Sequence, residues 1–355
     1  MEFRSARRSE RDEVLDLLAL WYGDREFFAR YNQKDPTFRD ELCLVAIDRG
    51  RIVSTAQIFD RKINLEDKTV PMGGIGSVFT REDYRHQRVA SGLMHLAIDV
   101  MERESFEVSL LFAERLTFYN QFGWKEINRN FTLLGNAADL RMPQVRELEI
   151  DVFDRDRDLP AIMATHREYS GRFNIAAIRD EADWRANLEY AGNMPADPIG
   201  GCDEYFIIAR IGGEIVAYAR ATKFHDIVML MEFGYRRSNQ AAMLALIRHL
   251  GEMLSSGKSS FRVAGDHRRA QALLADKMPA GALIVTHMRH DGGLERAADD
   301  AGCLVRHHAD NFNMWRINLP EKLGHRFEMT PQAASDYFFA KVASPHSLFW
   351  TADRF

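Results

Sequence analysis

From Ile75 to Met94 the chain reads IGSVFTREDYRHQRVASGLM. An apolar, strand-like run gives way to a short polar turn with Arg85, His86 and Arg88, and then a long amphipathic helix begins. The first N–H groups of a helix lie at the positive end of its dipole, so a basic turn at that point suits a pyrophosphate. Turn chemistry alone fits a solvated strand-to-helix loop at least as well. Upstream, Trp21, Tyr22, Phe27, Phe28 and Tyr31 are interleaved with Asp24 and Glu26. Aromatic faces beside carboxylates suit a cationic amine, and the packing of two helices explains the same residues. Two further clusters start like metal sites and fall short. Asp154-x-Asp156-x-Asp158 opens like a calcium loop, but Leu159 and Thr165 hold its glycine and terminal glutamate positions. Cys303, His307 and His308 lack a fourth partner at familiar spacing, so a polar surface turn is expected there and no metal.

Hydrophobic periodicity supplies the elements that hold these residues. Ser9 to Tyr22 carries Val14, Leu17, Leu18 and Trp21 at helical spacing. Leu42 to Asp48 and Arg51 to Phe59 are β-rich runs hinged at Asp48–Arg49–Gly50, a hairpin signal. Val70 to Phe79 is a further strand. The helix after the turn brings Val89, Leu93, Leu96, Val100 and Met101 close to one face. Phe106 to Phe112 is an apolar strand, and Leu116 to Gln121 a short helix stopped by Gly123, with Trp124 packing back on it.

Asn136 to Pro143 is the most loop-like stretch before mid-chain, and beyond it the order of elements repeats. Strands are expected at Leu148 to Phe153, Tyr205 to Ile211, Glu214 to Thr222, Ile227 to Phe233 and Ser260 to Ala264. Helices are expected from near Asp158 and Pro160, at Asn239 to Leu254 and at Arg268 to Asp276. The pattern repeats while the residues do not. Two copies of one α/β unit, with a C-terminal segment from about Met314, is the simplest organisation.

Hydrophobic residues at 46% and charged residues at 28% exclude a disordered chain, and 355 residues suffice for a sizeable core. A net charge of −5 offers no basic surplus for nucleic acid or anionic lipid. No apolar run approaches the ~20 residues of a membrane span, and MEFRSARRSERDEV lacks the apolar stretch of a signal peptide. Cys43, Cys202 and Cys303 are far apart and form no C-x-x-C pair, so a reducing compartment is expected. The expectation is a cytoplasmic protein without nucleic-acid or membrane partners.

The run Y-R-H-Q-R-V-A-S-G-L-M resembles the signature (Q/R)-x-x-G-x-(G/A) of the GNAT superfamily of acyl-CoA-dependent N-acyltransferases, here as Arg85-x-x-Arg88-x-Ala90. Arg88 stands where that signature has its central glycine. Its side chain either crowds the cofactor phosphates or pairs with them through the guanidinium. Phe118-Tyr119-Asn120-Gln121-Phe122-Gly123-Trp124 resembles the second signature, F-Y-x-x-x-G-(F/W), in its proper place after the next strand. V-P-M-G-G-I-G-S-V before the turn, R-x-x-x-V-A-S-x-L-M after it, and a second unit without the turn extend the likeness. Over most of residues 1–320 the chain is similar to the double-GNAT aminoglycoside acetyltransferases of the enhanced-intracellular-survival (Eis) type.

The resemblance implies an α/β chain of two tandem GNAT-like units, each a mixed, mostly antiparallel sheet flanked by helices. A catalytic domain would span 1–140, a degenerate one 141–313, and a short C-terminal segment, 314–355, would return to the active site. Acetyl-CoA is the implied donor. Its pantetheine arm would pair with the main chain at Val78, Phe79 and Thr80, and its pyrophosphate would sit over Arg85, His86, Gln87, Arg88, Val89, Ala90 and Ser91. Tyr119 would be the acid that protonates the departing thiolate, or else a core aromatic. In the resembling enzymes a terminal Phe carboxylate is the general base, a part open to Phe355 in the apolar tail. Glu114 is the alternative base, or a plain surface charge. Tyr235-Arg236-Arg237-Ser238-Asn239-Gln240-Ala241 replaces the turn in the second unit without glycine or matching spacing, so no second cofactor site is expected. Larger members carry a sterol-carrier-like third domain, for which the residues after Trp315 are too few. The expected function is direct N-acetylation of a primary amine, with a small-molecule acceptor foremost. Alternatives are a non-catalytic protein that binds acyl-CoA or a small molecule, and an enzyme acting on protein lysines or N-termini. A homo-oligomer is compatible with either.

Overall fold

The computed structural model describes residues 1–142, 144–190, 203–224, 227–255, 283–310 and 312–350. The first half contains β1 (Glu2–Ser5), α1 (Arg11–Tyr22), α2 (Arg25–Lys34), β2 (Cys43–Asp48), β3 (Arg51–Leu65), β4 (Lys68–Thr80), α3 (Val89–Arg103), β5 (Val108–Phe112), α4 (Leu116–Asn120), β6 (Lys125–Glu126) and β7 (Arg129–Gly135). The second opens with β8 (Leu148–Val152), α5 (Arg155–Ser170), α6 (Glu181–Tyr190), β9 (Asp203–Ile211), β10 (Glu214–Phe224), β11 (Ile227–Tyr235) and α7 (Gln240–Ser255). It closes with β12 (Leu283–Thr286), α8 (Gly292–Asp300), β13 (Leu304–Asp310), β14 (Asn313–Ile317), α9 (Pro320–Phe327) and α10 (Pro331–Ala343).

The strands form two seven-stranded sheets of one plan, β1-β2-β3-β4-β5-β14-β6 and β8-β9-β10-β11-β12-β7-β13. Pairing is antiparallel except for β4 with β5 and β11 with β12, the mixed, mostly antiparallel α/β class that was expected. Each sheet lends the other a strand. β7 follows β6 in the chain but lies between β12 and β13, and β14 follows β13 but lies between β5 and β6. Relative to the limits 1–140, 141–313 and 314–355, β7 of the first span lies in the second sheet, and β14, which begins the C-terminal segment, lies in the first. Alternation along a strand specifies which face is buried and not which strand lies alongside.

Residue type explains most of the remaining framework. The Asp48–Gly50 and Gly212–Gly213 hairpins have positive φ at both central residues, Arg49 and Gly50 in one and the two glycines in the other, the geometry whose twist suits paired strands. On one face of the first sheet, Leu93, Met94, Ala97 and Met101 of α3 bury against Leu44, Ala46, Ala56 and Ile75. On the other, Leu17 and Leu18 of α1 with Phe27, Phe28 and Tyr31 of α2 cover Val45, Ile52, Phe59 and Phe79. The C-terminal helices join the first unit, with Leu323 and Phe338 against Met72, Val108 and Trp315. The two units touch through an Ile63–Ala177 bridge and a Lys34–Glu189 ion pair at 2.8 Å.

The decoys resolve into structure. Asp154 caps α5, accepting from the N–H groups of Asp156 and Arg157 at 3.1 and 2.9 Å, so the calcium-like spacing is a helix start. Cys303 is buried, and His307 and His308 are on strand β13 paired with β7, not on the surface turn expected for them. The strand expected at Ser260 to Ala264, the helix at Arg268 to Asp276, Cys202 and Phe355 lie outside the described residues. Among the described residues no helix is long and apolar enough to cross a membrane.

Candidate active site

β4 and β5 run side by side from Met72–Val108 to Ile75–Leu111, and there the pairing ends while β4 continues to Thr80. Opposite β3, the register passes from Gln57–Gly76 to Thr55–Phe79, so β4 holds one extra residue, a bulge with Ser77 at φ 50°. A bulge takes backbone groups out of the ladder and re-aims them. Val78, Phe79 and Thr80 occupy this diverging end. Val78 rests on the α3 cluster and Phe79 on the α1 cluster, while Ser54 Oγ, 2.8 Å from the Phe79 carbonyl and 2.7 Å from Thr80 Oγ1, braces the last two residues.

The turn that follows is held at its near end by Tyr84, whose hydroxyl donates to Asp48 at 2.9 Å. His86 and Arg88 both take left-handed backbone, at φ 64° and 60°. The helix α3 begins where the Gly92 N–H donates to the Arg88 carbonyl at 3.1 Å, which leaves the N–H groups of Val89, Ala90 and Ser91 without partners inside the helix. Arg88 supplies no side-chain cap. His86, Gln87 and Arg88 are exposed. The position that the signature gives to glycine thus keeps a glycine-like conformation while carrying an arginine directed into solvent.

The Arg85 guanidinium lies 5.4 Å from the ring of Trp21, and that ring stacks on Phe79 at 6.2 Å. Beside them is a cavity of about 660 Å³, with Leu20, Trp21 and Phe79 on its apolar side and Arg81, Glu82, Asp83 and Arg85 on its polar side. The aromatic cluster at Trp21 to Tyr31 therefore divides. Phe27, Phe28 and Tyr31 are core, the Tyr31 hydroxyl accepts from Arg61 at 2.9 Å, and Asp24 caps α2 through the Phe27 N–H at 2.8 Å. Trp21 stays out at 62% exposure.

Tyr119 is half-buried on α4, edge-on to Phe118 at 4.9 Å and to Trp124 at 6.4 Å. Gly123, at φ 89°, ends that turn. Tyr119 and Phe118 pack against the same buried cluster as Val78 and Tyr84, so the structure gathers the end of β4, the turn and α4 around one core. Glu114 is exposed on the short link between β5 and α4. Arg316, on β14, had no sequence signal. Its Nε donates to the Phe122 carbonyl at 3.1 Å, its guanidinium lies 5.6 Å from the Trp124 ring, and Glu102 is 3.4 Å away. Burial lowers the Arg316 pKa.

The chain leading to the terminus is firmly seated. The Leu348 N–H donates to the Asn174 carbonyl at 2.8 Å, Phe349 lies 6.1 Å from Phe112 at the end of β5, and Trp350 packs on Phe233 at 4.8 Å and His290 at 5.2 Å. The second sheet diverges as the first does, β11 pairing with β12 only from Ile227 to Met229 before running on to Tyr235. There Trp350 and His290 close the opening, and the Arg237 N–H in the corresponding turn already donates to Glu168 at 2.8 Å.

Residues 2–127 match the model of the acetyltransferase (GNAT) domain family. Among solved structures the chain is similar to a GCN5-related N-acetyltransferase from Kribbella flavida, at 17% identity over 91% of this chain and 72% of that one, with a TM-score of 0.62. It is also similar to Eis1 from Mycobacterium abscessus, at 12% identity over 91% and 74%, with a TM-score of 0.56. A third likeness, at 12% identity over 89% and 82% and a TM-score of 0.54, is to Saccharomyces cerevisiae N-myristoyltransferase with bound myristoyl-CoA. At these identities the likeness is one of fold. No curated protein sequence matches significantly.

Proposed function

We propose, from the match of residues 2–127 to the GNAT acetyltransferase domain family, that the protein is an acetyl-CoA-dependent N-acetyltransferase with one active unit, acting on a primary amine of a small molecule. The observation that carries the proposal is the meeting, at one end of β4, of a bulged and diverging strand with an open helix start. The shared fold of a myristoyl-CoA-bound enzyme supports an acyl-CoA donor.

In this reading the main chain of Val78, Phe79 and Thr80 pairs with the pantetheine arm. The N–H groups of Val89, Ala90 and Ser91 take the pyrophosphate, with Arg85 and Arg88 beside them and His86 and Gln87 at the rim. A backbone N–H turned out by the bulge polarises the thioester carbonyl. The amine nitrogen attacks the carbonyl carbon, a C–N bond forms, and the C–S bond breaks as Tyr119 gives its proton to the departing sulfur; the proton that the new amide nitrogen sheds then restores the phenol.

A primary amine has a pKa near ~10 and must first be deprotonated. The Phe355 carboxylate is the proposed base, with Glu114 as the alternative. A free terminal carboxylate titrates at about 3.5, so to serve as this base it needs burial, which raises its pKa, or a water relay. Leu348, Phe349 and Trp350 pack against both units, with Phe349 beside Phe112 at the end of β5, and this supports the reading. The second unit binds no donor in this reading, because its opening is filled.

Release of free thiol from acetyl-CoA against a panel of small amines and peptides tests the proposal. Amine-dependent release is expected. Tight acetyl-CoA binding without release for any amine would replace the enzyme with a binding protein. A few residues added after Phe355 should abolish turnover, and full activity in that extended protein would pass the role of base to Glu114.

A further inference from the structure

Resting on the acyl-CoA reading, we propose that Trp21 is the platform on which the purine ring of CoA stacks, with the adenosine phosphates held by Arg81 and Arg85. The chain has five tryptophans. Trp124, Trp184, Trp315 and Trp350 are 1% exposed or less, and Trp21 is 62% exposed. An indole held so far into water is costly unless something covers it. Phe79 backs the Trp21 ring, and the neighbouring Leu20 is equally exposed.

Position and charge select the occupant. Arg85 belongs both to the turn before α3 and to the wall of the cavity. A ligand whose pyrophosphate sits on the first turn of α3 therefore reaches the cavity with its next group, which in CoA is the nucleotide. Arg81, on the same wall and with its side chain partly exposed, adds a second cation. The two carboxylates on this wall count against an anion. Asp83 is offset by Arg81, whose Nε lies 3.6 Å away, and Glu82 is exposed to solvent. The cavity, at about 660 Å³, is roomy enough for a nucleotide. Arg85 exchanges the face of the indole for a phosphate as the purine arrives.

The test is calorimetric titration of the full chain and of Trp21→Ala with acetyl-CoA, adenosine 3′,5′-bisphosphate and acetyl-pantetheine, which lacks the nucleotide. The substitution should loosen acetyl-CoA and the bisphosphate by about 5- to 150-fold and leave acetyl-pantetheine unchanged. Trp21→Phe should recover most of the loss. Equal affinity of the native protein and Trp21→Ala for acetyl-CoA would overturn the proposal and leave the acyl-CoA reading standing. An unchanged acetyl-CoA affinity with a raised KM for aryl amines would also overturn it and give the platform to the acceptor. Failure of the native protein to bind acetyl-CoA at all would bring down the acyl-CoA reading itself, and the purine platform with it. Melting curves of both variants, expected to match the native protein at so exposed a position, exclude misfolding as the cause.

Discussion

Replacing Arg88 with glycine separates backbone strain from ligand binding, because the two effects have opposite signs. An L-residue in the left-handed region costs roughly 1–2 kcal/mol. Arg88 accepts that cost at φ 60° and ψ 17°, with an exposed side chain that makes no ion pair among the described residues. Glycine removes the strain and returns roughly 0.5–1 kcal/mol through a freer unfolded chain. The net expectation is a gain of about 0.5–1 kcal/mol, or a melting temperature higher by about 1–3 °C. Binding should move the other way. A hydrogen bond from a guanidinium to a phosphate is worth roughly 1.5–3 kcal/mol, so the Kd for acetyl-CoA should rise about 10- to 150-fold. Thermal melting and calorimetric titration read the two effects separately, and Arg88→Ala should lose affinity without gaining stability. If Arg88→Gly binds acetyl-CoA as tightly as the native protein or more so, Arg88 is no phosphate ligand. A lower melting temperature would refute the strain argument.

Three further outcomes are expected. Tyr119→Phe should lower kcat by roughly 100-fold or more with acetyl-CoA affinity retained, and unchanged turnover would remove Tyr119 from the chemistry. Arg316→Ala should cost roughly 1.5–3 kcal/mol in urea unfolding by stripping a charged donor from the Phe122 carbonyl, and should lower kcat by loosening the turn after Tyr119. Stability and turnover both equal to native would show that Arg316 braces nothing. His290, enclosed by Phe173, Phe233 and Trp350, is kept neutral first by burial and then by the positive charge of Arg129. The unfolded chain takes up that proton below about pH 6.5, so stability is complete above this value and falls below it by up to about 1.4 kcal/mol per pH unit. His290→Phe should be less sensitive than the native protein between about pH 7.5 and 5.5 in urea titrations, and an identical pH dependence would show that His290 is not responsible.

What could be read from the sequence was what short-range patterning encodes. The strand, basic turn and helix around Arg85 to Ser91 announce themselves within twenty residues, and Gly123 marks the end of α4 by the conformation that it alone adopts cheaply. Trp21, Phe27, Phe28 and Tyr31 looked alike because their spacing is compatible with one helix pair. Gly23, at φ 73°, ends α1 just after Trp21 and Tyr22. The break leaves Trp21 at the end of α1, outside the core that buries Phe27, Phe28 and Tyr31. His307 and His308 were misplaced on a turn because the partner that makes them strand is β7, far back in the chain. The contact of Arg316 with the turn after Tyr119 was hidden for the same reason.

The exchange of β7 and β14 also bears on how the protein is made. During synthesis, Tyr119 leaves the ribosome roughly 200 residues before the strand that will flank β5. At 5–20 residues per second, that is a wait of roughly 10–40 s. Through this interval the edge formed by Val108–Phe112 is open, and open apolar edges recruit whatever strand is near. The N-terminal unit therefore waits for the second half of the chain before it can close, and a fragment ending at residue 140 would keep the signature motifs without the sheet that supports them. Two nascent chains on one message could also trade these strands with each other instead of internally, giving an entangled dimer. A low growth temperature or chaperone supply, more than codon choice at the signature motifs, should decide the yield of correctly closed protein.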